Sequence, residues 1–302
     1  MKPILVSGLI NLETTLRIEQ FPLQYNPVNY PFFGVNSTIS GVGYNVVKAL
    51  TTLGNAVRFL SLTGQDLPGA LVDDALQRDA IPSREVLYTL RATPQSVIVY
   101  ETSGKRQIHV DLKDIQESVY PQAAFEQALK ACDWAVLCNI NYNRPMLQRA
   151  RALGVKIATD VHTIADLEDA YNRDFMQAAD VLFMSDENLP VAPREWAAAV
   201  MTRFNPEVLV IGMGERGALL AVRADGQITQ HPAVVTRPIV STIGAGDALF
   251  ASFLHGYRQT GDAYTALRQA LVFASYKIGV AGAADGFVDA DTLEKLVREA
   301  IK

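Results

Sequence analysis

The sequence predicts an α/β fold, in which a central, mostly parallel β-sheet is flanked by helices and a small second β-sheet projects from it. Short apolar runs that read as buried strands alternate with segments of helical spacing for most of the 302 residues. Such alternation is typical of a parallel sheet covered by helices. Two segments break the alternation and carry proline-rich or period-2 patterns instead. The chain has no internal repeat, linker or low-complexity tract, which predicts a single domain over residues 1–302.

The first part of the chain contains two strand–helix units. The run PILVSGLI, at residues 3–10, reads as a strand. GYNVVKALTTLG, at residues 43–54, has apolar residues at helical spacing and ends in a typical C-terminal glycine. AVRFLSLTG (56–64) then reads as a strand, and PGALVDDALQRD (68–79) reads as a helix.

The second half of the chain carries four more short buried strands and ends in helices. The strands are WAVLCNI, KIATDV, DVLFMS and VLVIGM, at residues 134–140, 156–161, 180–185 and 208–213. Helical segments such as RPMLQRARALG (144–154) separate them, as expected for successive β–α units. From about Asp247 the remaining sequence is mostly helical.

Residues 12–40 and 90–112 predict the small second sheet, which would form a lid. The first segment contains three prolines among aromatic residues. The second reads as a hairpin in which QSVIVYE and RQIHVD flank a Ser103-Gly104 turn. Amphipathic strands inserted between α/β units indicate a sheet that projects from the main domain. Such a lid can cover a site or pair with a second copy of the chain.

Composition and charge argue against several classes of protein. A net charge of -5 leaves no basic excess with which to bind nucleic-acid phosphates. Cys132 and Cys138 are the only cysteines, too few for a disulfide framework and wrongly spaced for zinc. No apolar stretch approaches the roughly 18 residues of a membrane span, and the first residues read as a strand rather than a signal peptide. We therefore expect a cytoplasmic protein with no nucleic-acid or membrane partner.

Gly212, Gly214 and Gly217 match the G-x-G-x-x-G spacing of a dinucleotide-binding turn. Such a turn must open a helix and be followed by an acidic residue about 20 positions later. Here residues 218–235 alternate apolar and polar around Asp225-Gly226, which is a strong β-hairpin signal. The sequence therefore predicts a turn at a strand end and argues against an NAD or FAD site.

A second glycine turn, Gly244-Ala245-Gly246, precedes Asp247, which begins an apolar helix. Backbone N–H groups that converge at a helix N-terminus bind an anion without any basic side chain. A carboxylate there repels phosphate, but it is well placed to accept a proton from a hydroxyl that attacks a phosphoryl group. The alternative is that Asp247 only caps the helix.

Five motifs in order make the chain resemble the ribokinase-like (PfkB) carbohydrate kinase family over nearly its whole length. The C-terminal signature of the family is similar to STIGAGDAL (241–249), and its N-terminal Gly-Gly-Asn signature is similar to SGVGYNVVKAL (40–50). Its G-x-D-x-x-G step resembles GQDLPG (64–69), and its T-x-G-x-x-G-A strand end resembles GMGERGA (212–218). The opening G-x-x-N-x-D motif resembles Gly8, Asn11 and Glu13.

The resemblance implies a three-layer fold with a β-sheet lid over the sugar site. It also implies that the γ-phosphoryl group of ATP is transferred, with Mg²⁺, to a hydroxyl of a sugar or sugar-like alcohol. By matching position, Asp247 would be the general base. The amides of Gly244, Ala245 and Gly246 would neutralise charge on the phosphoryl group during transfer.

The resemblance also assigns binding residues. Those that would face the hydroxyls of the acceptor are Asn11, Glu13, Gly41, Gly43 and Asn45, with Asn141 where relatives often place a polar sugar contact. The alternative for Asn141 is a loop residue that satisfies turn backbone. Those on the nucleotide side would be Gly212, Gly214, Gly217, Thr242, Ser185 and Asn188.

Several positions depart from the family pattern. Ser241 stands where relatives have an aspartate associated with a monovalent cation site, which argues against activation by potassium. The family's N-x-x-E metal-and-phosphate motif looks like Ser185-Asp186-Glu187-Asn188 with both ends changed, so Mg²⁺ would need rebuilt contacts, for example with Asp186 or Glu187. Glu13 replaces an aspartate and suggests an acceptor other than ribose.

Two alternatives remain open beside the sugar kinase. A nucleoside kinase of the same fold would stack Tyr44 or Phe33 on a base, although either residue suits the lid core equally well. A catalytically silent sugar- or nucleotide-sensing protein would explain the changes at Ser185, Asn188 and Ser241. A lid with an apolar face is not stable alone in water, so we expect it to close on substrate or to pair with a second lid in a homodimer.

Overall fold

The computed structural model describes residues 1–101 and 105–300, and these residues form two β-sheets and a set of flanking helices. The strands, in chain order, are β1 (Ile4–Ser7), β2 (Asn11–Arg17), β3 (Val35–Ser40), β4 (Val57–Gly64), β5 (Val86–Leu90), β6 (Gln95–Tyr100), β7 (Arg106–Asp111), β8 (Trp134–Leu137), β9 (Lys156–Thr163), β10 (Val181–Ser185), β11 (Val208–Gly212), β12 (Ala218–Val222) and β13 (Gln227–His231). The helices are α1 (Val42–Thr52), α2 (Leu67–Arg78), α3 (Gln122–Leu129), α4 (Arg144–Ala152), α5 (Arg173–Ala178), α6 (Pro193–Phe204), α7 (Ala245–Thr260), α8 (Ala263–Lys277) and α9 (Ala290–Ala300).

The larger sheet has nine strands in the order β13-β12-β11-β10-β9-β8-β1-β4-β5. All pairings from β5 to β11 are parallel, and only β11–β12 and β12–β13 are antiparallel. Parallel strands are covered on both faces, which explains why they read as continuous apolar runs. The predicted α/β fold with a mostly parallel sheet is therefore confirmed.

Two apolar clusters cover the two faces of this sheet and make the molecule three layers thick. One cluster joins the sheet to α1, α2, α7, α8 and α9 through side chains such as Val46, Phe250 and Leu267. The other joins it to α3, α4, α5 and α6 through side chains such as Phe125 and Trp196. Each helix buries one apolar stripe against the sheet, which is the arrangement that the helical spacing predicts.

The smaller sheet has four strands in the order β3-β2-β6-β7. β2 pairs parallel with β6 and antiparallel with β3, and β6 and β7 form an antiparallel pair. All four strands lie in the segments expected to form the lid, apart from Asn11 at the start of β2. The expected Ser103-Gly104 turn lies outside the described residues.

Two local features differ from the sequence-based expectation. β5 was not expected, because a run of five residues is too short for its apolar pattern to distinguish a strand from other structure. α7 begins at Ala245, two residues before Asp247, because Gly244 rather than Asp247 takes the N-cap position. In contrast, the hairpin expected after Gly217 is present as β12 and β13.

No helix within residues 1–101 and 105–300 is long and apolar enough to cross a bilayer.

Candidate active site

The candidate site is formed where the first residues of α1 and α7 meet the chain that follows β1. In α/β sheets, ligands bind beyond the carboxyl ends of the strands, because the loops and helix N-termini converge there. Residues 8–10 leave β1 at this edge and lead directly into the smaller sheet. Asp160, in the second half of β9, and the turn that follows β11 also lie toward this edge.

The turn before α7 has a backbone that only glycine accommodates at its central position. Gly244 has a φ of 75°, and a Cβ there would come within 2.2 Å of the carbonyl oxygen of Ala283. α7 then runs for 16 residues, and the N–H groups of its first turn have no partners inside the helix. The Ala245 N–H donates to the Thr242 carbonyl at 3.2 Å, whereas a Cβ built on Gly246 would have open space around it.

Asp247 lies in the first turn of α7 and is only 9% exposed. Gly244, and not Asp247, is the N-cap residue of α7. One carboxylate oxygen of Asp247 accepts a hydrogen bond from Asn45 Nδ2 at 2.7 Å. This contact joins α1 to α7 across 202 residues of sequence and places the carboxylate inside the site.

The environment of Asp247 moves its pKa in opposing directions. Burial raises the pKa, and the neighbouring Asp160 raises it further. The hydrogen bond from Asn45 and the electrostatic effects of the neighbouring His162 and Lys277 lower it. The net pKa is raised, so Asp247 is a stronger base than an ordinary aspartate. A buried carboxylate of this kind suits proton abstraction from an alcohol.

Asn11 and Glu13, on β2, present buried acceptors without a protein donor. They are 2% and 6% exposed. Asn11 Nδ2 donates to Ser96 Oγ at 2.8 Å, but within the described part of the chain neither Asn11 Oδ1 nor Glu13 Oε1 has a hydrogen-bond partner. Burial and the charge of Asp247 raise the pKa of Glu13. Unsatisfied buried acceptors are costly, so these atoms indicate a ligand that brings its own hydroxyl donors.

The start of α1 packs tightly against the chain that leaves β1. Gly41 is the N-cap of α1, and Gly43 lies so close to Gly8 that a Cβ on Gly43 would be 2.5 Å from the Gly8 carbonyl carbon. Asn45 follows one turn later, where its Oδ1 accepts from Ser40 Oγ at 3.5 Å. The two glycines therefore bring the backbones together, while Asn45 supplies the polar contact to Asp247.

Asn141 is engaged by Gln116 and Arg144 rather than left free. Its Nδ2 donates to the Gln116 carbonyl at 3.1 Å, and its Oδ1 accepts from Arg144 Nε at 3.1 Å. Both ends of the carboxamide are therefore hydrogen-bonded to protein groups, one of which is a backbone carbonyl. Tyr44 is 1% exposed and donates to Asp79, so it is not free to stack on a base, and Phe33 is 99% exposed.

The residues expected on the nucleotide side follow β10 and β11. Ser185 and Gly212 are register partners at the ends of these strands, and Ser185 Oγ accepts from the Glu187 N–H at 3.2 Å. Asn188 has a positive φ of 66° in the next turn. Gly214 has open space around it, whereas a Cβ on Gly217 would meet the His231 carbonyl at 2.0 Å. Gly217 therefore serves hairpin packing, and Gly212 and Gly214 border the open edge.

The two carboxylates expected near Mg²⁺ do not form a ready-made metal site. Asp186 is paired with Arg216, and Glu187 is exposed. Within residues 1–101 and 105–300 there is no group of three or more His, Cys, Asp or Glu side chains that could hold a metal ion. These residues therefore do not fit an all-protein magnesium cage. Mg²⁺ commonly binds through substrate phosphates and one or two carboxylates instead.

Three residues at the site were not recognised from the sequence. Arg106, on β7, donates from Nη1 to Thr242 Oγ1 at 2.7 Å and so links the smaller sheet to the α7 turn. Asp160 and His162, on β9, act on the pKa of Asp247. The available signal was the charged Asp160 within the buried run of β9, because a carboxylate inside a buried parallel strand needs a polar partner and ligand sites lie toward the carboxyl ends of such strands.

Comparison with known proteins points to one family. The pattern of the pfkB family carbohydrate kinases matches residues 1–290. The chain is 24% identical over 290 residues to an acarbose 7(IV)-phosphotransferase of Actinoplanes sp., with 95% of each protein covered. It is 24% identical over 289 residues to an ATP-dependent ribose-1-phosphate kinase of Halopiger xanaduensis, with 94% of each covered.

Solved structures give the same result for the fold. A microbiome-derived acarbose kinase matches with a TM-score of 0.88 and 25% identity over 99% of each chain. A ribokinase of Arabidopsis thaliana, complexed with ribose and ATP, matches with a TM-score of 0.81 and 18% identity over 98% of this chain and 99% of that one. The fold and the site define a phosphotransferase that acts on a sugar hydroxyl. The chain belongs to the pfkB family of carbohydrate kinases, so the resemblance drawn from the five motifs is confirmed.

Proposed function

We propose that the protein transfers the γ-phosphoryl group of ATP to a hydroxyl of a sugar held by Asn11 and Glu13, with Asp247 as the general base. The observation that carries the proposal is the buried Asp247 carboxylate, which Asn45 holds at the open N-terminus of α7. The unpartnered acceptors of Asn11 and Glu13 support it, because they suit the hydroxyls of a sugar.

The proposed reaction has one proton and one phosphoryl group to move. The acceptor oxygen forms a bond to the γ-phosphorus as the bond from phosphorus to the β–γ bridging oxygen breaks, and ADP leaves. The proton of the acceptor hydroxyl passes to a carboxylate oxygen of Asp247. The N–H groups of Gly244 and Gly246, together with the dipole of α7, oppose the charge on the oxygens in transfer. The Ala245 N–H, which donates to Thr242, would contribute less.

The nucleotide would lie over the ends of β10 and β11. Gly212 and Gly214 leave room there, and Thr242, Ser185 and Asn188 line the approach to the α7 turn. Mg²⁺ would be held mainly by the phosphate oxygens of ATP and would supply additional charge neutralisation. Asp186 would act on it only after release from Arg216.

The acceptor pocket would be closed by the smaller sheet. Strand register puts Val110 beside Ser96 and Ser96 beside Glu13, and the alternation of a strand places Arg106 and Ile108 on that same face. Ile108 and Val110 are each 49% exposed. Apolar side chains of this kind suit the C–H faces of sugar rings. Two acarbose-phosphorylating proteins are similar to this chain, so we include oligosaccharide-like sugars among the proposed acceptors.

We also propose a homodimer that forms through the smaller sheet and the segment between β2 and β3. That segment, residues 18–34, exposes several large apolar side chains. A concentration of exposed apolar side chains is typical of a protein–protein interface. The cytoplasmic location expected from the sequence stays a prediction.

An acceptor panel tests the proposed function. ADP release is measured with ribose, fructose, ribose 1-phosphate, acarbose, maltooligosaccharides, inosine and adenosine. We expect at least one sugar to stimulate ADP release, and Asp247→Asn to lower kcat by roughly 100-fold or more while sugar binding remains. Unchanged turnover in Asp247→Asn would exclude the general-base role. Stimulation by nucleosides alone would favour the nucleoside kinase, and binding without any turnover would favour the sensing protein.

A further inference from the structure

Lys277, the last residue of α8, has a completely buried side chain with 0% exposure. Charged side chains are almost never buried in this way without partners. The partners of Lys277 Nζ are the carbonyl oxygens of Ile243 and Gly282, the latter at 2.7 Å. An ammonium group is thus held by backbone carbonyl oxygens, next to the site but outside the acceptor and nucleotide residues described above.

Both carbonyls belong to segments that shape the turn before α7. Ile243 directly precedes Gly244, and the loop with Gly282 continues into Ala283, whose carbonyl oxygen faces Gly244. The same turn is anchored to the end of α8 by the N–H groups of Val240 and Ser241, which donate to the Ile278 carbonyl at 2.8 and 3.0 Å. Lys277 therefore fixes the position of the residues that would bind the transferred phosphoryl group.

Burial lowers the pKa of Lys277 to about 8, while the charges of Asp247, Asp285 and Glu13 favour its protonated form. In return, the charge of Lys277 lowers the pKa of Asp247 and of Glu13. At neutral pH the buried ammonium is therefore a fixed positive charge that acts on the carboxylates of the site.

We propose that Lys277 is a built-in monovalent cation, which orders the turn at residues 242–246 in the place of a potassium ion and makes the kinase independent of alkali cations. The inference rests on the proposed function. Backbone carbonyl oxygens are the ligands that replace the hydration shell of potassium in proteins. A lysine ammonium has the same charge and three donors. Ser241 is consistent with this role, because a covalently attached cation needs no additional carboxylate to hold it.

Lys277 is then a positioning residue, which acts on the phosphoryl group through the turn and not by touching it. Loss of its charge should impair the transition state more than the binding of ATP, because the α7 amides are needed where charge develops. A merely structural lysine would instead lower stability without a specific effect on kcat and without rescue by a small cation.

The test compares cations with the wild-type protein and two variants. Wild-type kcat is measured in potassium, sodium or N-methylglucamine as the sole monovalent cation, and we expect the same value in all three. Lys277→Ala should lower kcat by roughly 100-fold with little change in the KM for ATP. Potassium or ammonium ions should raise the kcat of Lys277→Ala by roughly tenfold. Lys277→Met, which fills the space without charge, should lose activity without such rescue. Lys295→Ala, at an exposed lysine of α9, is the matched control and should keep its activity.

The inference is overturned if the wild type requires potassium, or if Lys277→Ala keeps the wild-type kcat or is not rescued. If Lys277→Ala does not fold, the wild-type cation series and Lys277→Met decide. If no acceptor is phosphorylated, the proposed function is refuted independently of this inference. The inference is then tested by the melting temperatures of the wild type and Lys277→Ala. Potassium should then stabilise Lys277→Ala relative to sodium at equal ionic strength but leave the wild type unchanged, and the absence of that difference would refute the inference.

Discussion

Asn45 connects Ser40, on the side of the proposed sugar pocket, to Asp247, the proposed base, because its carboxamide contacts both residues. Its Oδ1 accepts from Ser40 and its Nδ2 donates to Asp247. A carboxamide that is bound at both ends keeps a fixed orientation. Asp247 depends on this donor, because burial raises its pKa and a protonated carboxyl group cannot accept a proton from the sugar.

We expect Asn45→Leu to move the acidic limb of the pH–rate profile to higher pH. Proton abstraction requires ionised Asp247, so activity is present above the pKa of Asp247 and is lost as the pH falls through it. Removing the Asn45 donor raises that pKa further, and a hydrogen bond to a charged group is worth about one pH unit or more. The measurement is kcat/KM against pH.

The matched control is Asn55→Leu, beyond the other end of α1. Asn55 Nδ2 donates to the Leu50 carbonyl and contacts His255, and neither belongs to the candidate site. This variant should keep the position of the wild-type limb even if its stability falls. An unmoved limb in Asn45→Leu would show that Asp247 does not depend on Asn45.

At the scale of elements, the contact between β7 and the α7 turn connects the smaller sheet to the phosphoryl site. The link consists of Arg106 Nη1 and Thr242 Oγ1, 136 residues apart in sequence. Because the smaller sheet also carries Glu13, closure of this sheet and formation of the acceptor pocket are expected to occur together.

Arg106→Ala should raise the KM for the sugar by roughly fivefold, since one exposed hydrogen bond contributes about 1 kcal/mol to closure. Initial rates against sugar concentration provide the measurement. Arg17→Ala is the control. Arg17 is also on the smaller sheet, but it donates to the Phe32 carbonyl, between β2 and β3, and not to the α7 turn. An equal effect in both variants would indicate general weakening of the sheet and not loss of the contact with Thr242.

The elements that the sequence predicted are those with strong local patterns. The buried strands, α1, the hairpin of β12 and β13, and the glycine turn before Asp247 each depend on a few neighbouring residues. The contacts of the site depend on residues far apart, as in the pair of Asn45 and Asp247, and no local pattern specifies them. Lys277 shows the limit most clearly, because a lysine near a helix end ordinarily predicts an exposed side chain.

Glycine patterns were predictive of turns but less so of ligand contacts. Gly217 belongs to a nucleotide-like motif, yet its close neighbour is the backbone of His231. Gly43 belongs to a sugar-kinase signature, yet it lies against Gly8. A glycine motif indicates where another group can approach the backbone closely. Only the structure shows whether that group is a second backbone or leaves room for a ligand.

At the scale of the whole molecule, the site forms only when distant parts of the chain are folded together. Residues 8–13, 40–45 and 241–247 come from the start and the end of the chain, and α1 and α7 pack within one apolar cluster. The two clusters on the faces of the larger sheet hold these segments in place. β7 of the smaller sheet is exposed along its whole length, so part of this sheet faces solvent.

The segment between β2 and β3 concentrates this exposed apolar surface. Leu23, Tyr25, Tyr30, Phe32 and Phe33 are 60, 93, 76, 78 and 99% exposed. Monomeric proteins rarely expose large contiguous apolar patches, and aromatic side chains are enriched at interfaces between subunits. A second copy of the chain is a suitable partner, because an isologous contact buries the same patch on both subunits.

We therefore expect light scattering after gel filtration to give twice the mass of the chain at micromolar concentration. The double substitution Tyr25→Asp and Phe32→Asp should shift the protein to a monomer, because two buried carboxylates per subunit would lack partners at the interface. Val119→Asp is the control, since Val119 is 77% exposed outside this segment and should leave the dimer intact. A monomeric wild type would refute the dimer. A dimer that persists in the double variant would place the interface elsewhere on the molecule.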